Sequence, residues 1–168
     1  MKPFTTRRLG AADAAAYRTL RLESLIEHPT AFTTAHEDEV DKPIEFFATR
    51  MEQIECHGGF DDTGALASIA CLTRTSHPKT GHIATIWSVY ARPHMRGTGL
   101  ARAMLSDMIE SARPHGGSLR LFVTSSNLGA HRLYRSLGFE DYCLDKGALR
   151  HDGVTHDGIL MRLDFQPA

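Results

Sequence analysis

The stretch Arg96-Gly97-Thr98-Gly99-Leu100-Ala101 carries the residue types needed to hold an anion. Two glycines permit a tight backbone turn and leave amide N–H groups unobstructed by side chains. An amphipathic run follows at once, so those amides would lie at the amino end of a helix, where the dipole adds to the attraction. Arg96 and Arg102 add positive charge. The chemistry that suits these features is phosphate binding; a glycine-rich turn that merely starts a helix is the plain alternative. The nucleotide motif GxxxxGK[ST] does not occur in the chain. A dinucleotide fingerprint would need Gly or Ala where Arg102 stands and an acidic residue about twenty positions on. Ser111 to Phe139 contains no Asp or Glu, and instead carries Arg113, Arg120, Arg132 and Arg135.

Other chemistry-bearing side chains are scattered. Tyr134 shares a helical stripe with Ala130, Leu133 and Leu137, so its ring is expected to belong to a core. Asn127 suits a helix N-cap. His151 and His156, with Asp152 and Asp157, fall in a polar segment without metal-ligand spacing, and no metal site is expected. Cys56, Cys71 and Cys143 form no CxxC pair and no disulfide framework. Cys71 and Cys143 lie in apolar runs and are expected to be buried, inert thiols.

The elements that must position these residues follow from periodicity and punctuation. A helix is expected from Ala11 to Glu27, stopped by His28-Pro29, and a second from Pro43 through Ile54, stopped by Gly58-Gly59. Leu66–Leu72 and Ile83–Ala91 read as strands. The second is apolar on both faces (Ile83, Thr85, Trp87, Val89, Ala91 against Ala84, Ile86, Ser88, Tyr90), as in a central strand covered on each side. A third helix carries Ala101, Met104, Leu105, Met108, Ile109 and Ala112 on one stripe. The strand Leu119–Thr124 comes next, then a short helix ending at Gly138, with Phe139 placed to fold back on Leu133 or Tyr134. Strands Glu140–Leu144 and Ile159–Phe165 close the chain, with Asp145–Gly158 as the loop between them. The class is α/β with a mixed sheet, because strand–helix–strand in the middle implies parallel pairing while its flanks imply hairpins.

At 168 residues, with 42% hydrophobic and 23% charged residues, the chain is expected to be one domain spanning 1–168. Nineteen basic and twenty acidic residues leave a net charge of −1, which argues against a general nucleic-acid binder. Met1 to Leu9 lacks the apolar run of a signal peptide, and no apolar stretch approaches membrane-spanning length, so a cytoplasmic location and no membrane partner are expected.

Val89 through Ala101 resembles the strand–turn–helix signature of the GNAT superfamily of N-acetyltransferases, whose core of Arg or Gln, two residues, Gly, one residue, Gly or Ala is met by Arg96, Gly99 and Ala101. Asn127, Ala130, Tyr134 and Gly138-Phe139 resemble its second block, one helix and one strand further on. Arg18 to Glu23 and Pro29 to Phe32 are similar to the beginning of many members.

The resemblance implies a mixed, mostly antiparallel sheet with flanking helices and one parallel strand pair splayed to admit acetyl-CoA. The pyrophosphate would sit on backbone amides of Arg96, Gly97, Thr98, Gly99, Leu100 and Ala101. The pantetheine arm would pair with main-chain groups of Val89 and Ala91, where the family favours a larger aliphatic residue than Ala91. Asn127 would bond to that arm, and Tyr134 would protonate the departing thiolate. No carboxylate lies between His82 and Ala91, where many members place a Glu base. His82 stands at the wrong end of the strand, and Glu23 and Glu27 read as solvated charges, so the base is left open. The implied reaction is direct transfer in a ternary complex. Near-neutral charge favours a small or amino-acid-like amine as acceptor, held by the first two helices, Ile54 to Asp62, and Trp87 or Phe32. A protein N-terminal or lysine acetyltransferase and a non-catalytic acyl-CoA sensor are the rival readings, and a homodimer is the assembly common in the family.

Overall fold

The computed structural model describes residues 4–165; Met1 and Lys2 of the amino-terminal stretch lie outside the described residues. Strands β1 (Phe4–Arg8), β2 (Glu55–Asp61), β3 (Leu66–Arg74), β4 (Ile83–Ala91), β5 (Ser118–Thr124), β6 (Glu140–His151) and β7 (Val154–Asp164) form one sheet in the order β1-β2-β3-β4-β5-β7-β6. Every neighbouring pair is antiparallel except β4 with β5. The mixed, mostly antiparallel sheet with one parallel pair is therefore present.

Helices α1 (Ala14–Glu27), α2 (His36–Glu39) and α3 (Ile44–Gln53) precede β2, while α4 (Leu100–Ala112) and α5 (Leu128–Ser136) flank β5. On one face, Tyr17 and Leu20 of α1 and Phe47 and Met51 of α3 pack on Cys56, Ile69, Cys71 and Tyr90. On the other, Met104, Leu105, Met108 and Ile109 of α4 pack with Leu119, Leu121 and Met161, and Tyr134 and Phe139 extend that core.

Two glycines explain how the layers close on the sheet. Gly58 and Gly59 do not stop a helix, as their type suggested; they lie inside β2. A Cβ on Gly58 would come within 2.6 Å of Leu9 and Leu66, and one on Gly59 within 2.6 Å of Leu100. Glycine here permits close approach from both faces, and it seats the start of α4 on the sheet. Strand β1, also unforeseen, is a short polar edge strand whose sequence has no apolar alternation.

Strand β4 departs from simple alternation at Ser88, which has φ +59°, and the register against β3 shifts between Ile69 and Cys71. The extra residue changes the phase, so Trp87 and Tyr90 face the α1–α3 core while Ala84, Ile86 and Val89 face α4. The two faces expected from strict alternation thus hold only up to Trp87.

The polar segment Asp145–Gly158 is strand rather than loop. It pairs His151 with Val154 across a two-residue turn in which Asp152 (φ +48°) and Gly153 (φ +77°) are left-handed, the geometry favoured for Asp-Gly hairpins. This hairpin extends past the covered part of the sheet, so most of β6 is exposed. For the same reason Cys143 is exposed, contrary to expectation, whereas Cys56 and Cys71 are buried.

Candidate active site between the splayed strands

Strands β4 and β5 are paired only through Ile83–Thr85 and Ser118–Arg120. Beyond Thr85 they diverge, and a cavity of about 950 Å³ opens between them. Its walls include Trp87, Ser88, Val89 and Ala91 of β4, Phe122 and Val123 of β5, Phe32 from the segment after α1, and Ala130, Leu133 and Tyr134 of α5. Main-chain groups of β4 facing β5 are thus left without a strand partner in the stretch containing Val89 and Ala91. Thr30, which borders the cavity, is tethered where its carbonyl accepts a 2.5 Å hydrogen bond from Thr124 Oγ1 at the end of β5.

The glycine loop stands at one end of this cavity. Gly97 (φ +77°) and Gly99 (φ +92°) are left-handed, and Gly99 caps α4. The first internal bond of that helix runs from Ala103 N to Gly99 O at 2.9 Å. Among the described residues, the amides of Gly97, Gly99, Ala101 and Arg102 donate to nothing. The Arg96 amide is used by Pro93 O, and the Leu100 amide by Thr98 Oγ1 at 3.3 Å. Arg96, Gly97, Gly99, Ala101 and Arg102 border the cavity; Thr98 and Leu100 do not, since Leu100 is buried against the sheet and Thr98 Oγ1 donates to Met95 O. Open amides at a helix amino end attract phosphate oxygens, and the cradle fits that group.

The two arginines are braced. Arg96 Nε donates to Ala91 O at 2.9 Å and Nη2 to His28 Nε2 at 2.9 Å, which ties the loop to the end of β4 and α1. Arg102 donates to Ser136 Oγ and O, which links α4 to α5.

Tyr134 is 5% exposed, its ring meets Phe139 edge-on at 6.1 Å, and it borders the cavity. That contact depends on Gly138 (φ +94°), which turns the chain so that Phe139 N reaches Tyr134 O. Burial pushes the phenol pKa well above its ordinary value, so the group keeps its proton. Asn127 Oδ1 accepts from Ala130 N at 3.2 Å, a helix cap, while its amide nitrogen donates to nothing among the described residues and the side chain borders the cavity. Capping thus engages the oxygen of this side chain and leaves its nitrogen unengaged among the described residues.

Neither acidic candidate reaches the cavity. Glu23 binds Arg92 through both oxygens, a contact that holds its carboxyl below the usual range; Tyr90 Oη lies 2.9 Å from Glu23 Oε1 and 2.7 Å from Glu27 Oε2, and its single proton is donated to one of the two at a time. Together they lock α1 to the end of β4. His82 lies at the paired end, where its carbonyl accepts from Ser118 N. Among the described residues, no Asp or Glu borders the cavity, and no three His, Cys, Asp or Glu side chains are grouped to hold a metal ion. Phe32 and Trp87 line the cavity as expected, whereas residues 54–62 lie across β2 and do not.

Periodicity alone did not single out Arg21. It occupies the buried side of α1 with Tyr17, Leu20, Ser24 and Leu25, is 1% exposed, and borders the cavity. Its Nε donates to Glu39 Oε2 at 3.0 Å, and Arg50 Nη2 donates to Glu39 Oε1 at 2.7 Å. The readable signal was its position four residues after Tyr17 and four before Leu25, a charge on an apolar stripe. Ser88 and Phe122 were likewise missed as cavity residues, since a bulge and a splay are products of assembly.

Comparison with known proteins agrees with this architecture. A [Ribosomal protein bS18]-alanine N-acetyltransferase of Escherichia coli is 32% identical over 81 residues, 48% of this chain and 55% of that protein. The chain spans about half the length, or less, of the curated relatives it matches. A GNAT-family acetyltransferase of Streptococcus pneumoniae superposes with a TM-score of 0.84 at 21% identity, covering 96% of this chain and 99% of that one. A phosphinothricin acetyltransferase of Sinorhizobium meliloti, solved in complex with AcCoA, superposes with a TM-score of 0.81 at 20% identity over 97% of this chain and 89% of that one. The family model for the Acetyltransferase (GNAT) family matches residues 18–139, from α1 through the glycine loop to Phe139. With the splayed strand pair, the open amides and the buried phenol all inside the matched stretch, the chain belongs to the Acetyltransferase (GNAT) family.

Proposed function

We propose that this protein transfers an acetyl group from acetyl-CoA to the primary amine of a small or amino-acid-like acceptor, by direct attack within a ternary complex. The observation that carries the reading is one cavity joining four unengaged amides at the start of α4 to a buried, protonated Tyr134 hydroxyl. The donor supplies a thioester, an acetyl group activated toward amines. The amides of Gly97, Gly99, Ala101 and Arg102 would bind its pyrophosphate, the β4 edge that β5 leaves without a strand partner around Val89 and Ala91 (apart from Ala91 O, which Arg96 Nε holds) and the side-chain amide of Asn127 would orient its arm, and Tyr134 would yield its proton to the leaving sulfur. An amine must be neutral to attack. With no carboxylate bordering the cavity among the described residues, and His28 Nε2 occupied by Arg96, water takes the ammonium proton before attack and the proton shed by nitrogen as the amide forms, and Tyr134 regains its own from water, so that thioester and amine become amide and thiol; positioning supplies much of the rate. The described residues include no helix long and apolar enough to cross a membrane, and a cytoplasmic site of action belongs to this proposal.

The similarity to a bS18-alanine N-acetyltransferase supports a second acceptor class, protein amino termini. Thiol release from acetyl-CoA, followed over a panel of small amines and alanine-initiated peptides, separates the two classes. Release with small amines is the expected result; tight acetyl-CoA binding with no release across the panel would instead identify a sensor.

A further inference from the structure

We infer that Arg21 reads a carboxylate on the acceptor, so that the amines this site takes are amino acids or other amino-carboxylates; this rests on the acetyltransferase reading above. Arg21 enters the cavity from the α1–α3 face of the sheet, opposite α4 and its glycine loop. Among the described residues only its Nε has a hydrogen-bond partner, Glu39, while Nη1 is buried and has none. Glu39 is shared with Arg50, whose own Nη1 is also unpartnered. Two guanidinium groups around one carboxylate leave this buried cluster with an excess of one positive charge.

The surroundings sharpen the demand for an anion. The Phe32 ring centre lies 5.2 Å from the Arg21 guanidinium carbon and that of Trp87 5.9 Å, so the charge is walled by rings rather than by water. No Asp or Glu among the described residues borders the cavity to neutralise it. Arg96 and Arg102, at the glycine loop, have their own partners and form a separate positive end. A planar guanidinium fork in a dry corner matches a carboxylate in shape and charge. An acceptor carrying that carboxylate beside its amine would be held with the amine toward the bulge at Ser88, where β4 borders the cavity.

The test measures thiol release from acetyl-CoA with L-amino acids, with their α-amides and with the corresponding amines lacking the carboxyl group, each rate referred to its neutral amine fraction. The acids are expected to exceed the amides in kcat/KM by about tenfold to a hundredfold. Arg21→Met should bring that ratio to one without changing the Kd for CoA, and Arg21→Lys should restore part of it. Equal rates for acids and amides would overturn the carboxylate site while leaving the transferase reading intact, and a preference that survives Arg21→Met would overturn it as well. If no substrate is acetylated, calorimetry of the same acids on the protein–CoA complex still decides: binding lost in Arg21→Met supports the site and removes the transferase reading, and no binding removes both. Should Arg21→Met fail to fold, the acid-to-amide ratio of the unaltered protein carries the test.

Discussion

Tyr134 combines two demands on one side chain, a ring packed against Phe139 and a hydroxyl that bounds the cavity. Tyr134→Phe keeps the ring and removes the proton. Turnover is expected to fall about a hundredfold with the Kd for acetyl-CoA unchanged, read from steady-state rates and calorimetry; unchanged turnover would remove Tyr134 from the mechanism. The pH profile carries a second signature. Because burial raises the phenol pKa above its usual value, the acid form persists as pH rises, so kcat should show no decline below about pH 10. Over the same range kcat/KM should climb with the neutral fraction of the acceptor amine. Gly99 belongs to the same scale. Its left-handed φ strains any side chain, and Gly99→Asp adds a negative charge beside the open amides, so acetyl-CoA binding should be lost in a titration while the circular dichroism spectrum is retained.

The site is made at the level of elements by two strands that part company. The bulge at Ser88 and the short pairing at Ile83–Thr85 free one edge of β4, and α5 and the segment after α1 close the sides of the slot. Strand β5 contributes Phe122, whose ring lies over Gly158 of β7; a Cβ there would stand 1.9 Å from Phe122 Cε2. Gly158→Ala must therefore push the ring away, and Phe122 borders the cavity. The variant is expected to lose about 1–3 kcal/mol of stability in urea denaturation and to raise the acceptor KM; wild-type values for both would show that the ring moves freely. The same glycine illustrates why Asp145–Gly158 resists sequence reading. A strand exposed on most of its length has no apolar alternation, and only Asp152-Gly153 marked the turn.

Across the whole molecule, the Arg21–Glu39–Arg50 cluster joins α1, α2 and α3 above the sheet. Burial alone would raise the Glu39 pKa, but the hydrogen bond from Arg50 and the charge of Arg21 outweigh it and hold the carboxyl below its usual range. A folded pKa below the unfolded one means that this stabilisation is complete above about pH 4.3 and is lost as pH falls through the folded value. Glu23, Glu55 and Asp13 are shifted the same way, by Arg92, His57 and Arg7 respectively. The Tm should therefore drop on acidification from about pH 5 toward pH 3. Glu39→Gln should cost about 3–5 kcal/mol near neutrality, since it leaves two buried guanidinium groups without their anion, and should flatten the acid limb of Tm against pH.

Local chemistry was written plainly in the sequence. Glycines at 97 and 99 before an apolar stripe, Asn127 before Ala130, and Gly138-Phe139 after Tyr134 each specify a turn or a cap by short-range sterics, and the α4, α5 and β4 elements follow from their periods. Assembly decided the rest. Whether Gly58-Gly59 ends a helix or admits Leu100 depends on what packs above it; where β4 leaves β5 depends on a bulge; and whether Arg21 is a solvated charge or a buried one depends on Glu39 and Arg50 arriving from distant segments. Backbone sterics act between neighbours along the chain, whereas burial, splay and charge pairing arise between residues that only the folded sheet brings together.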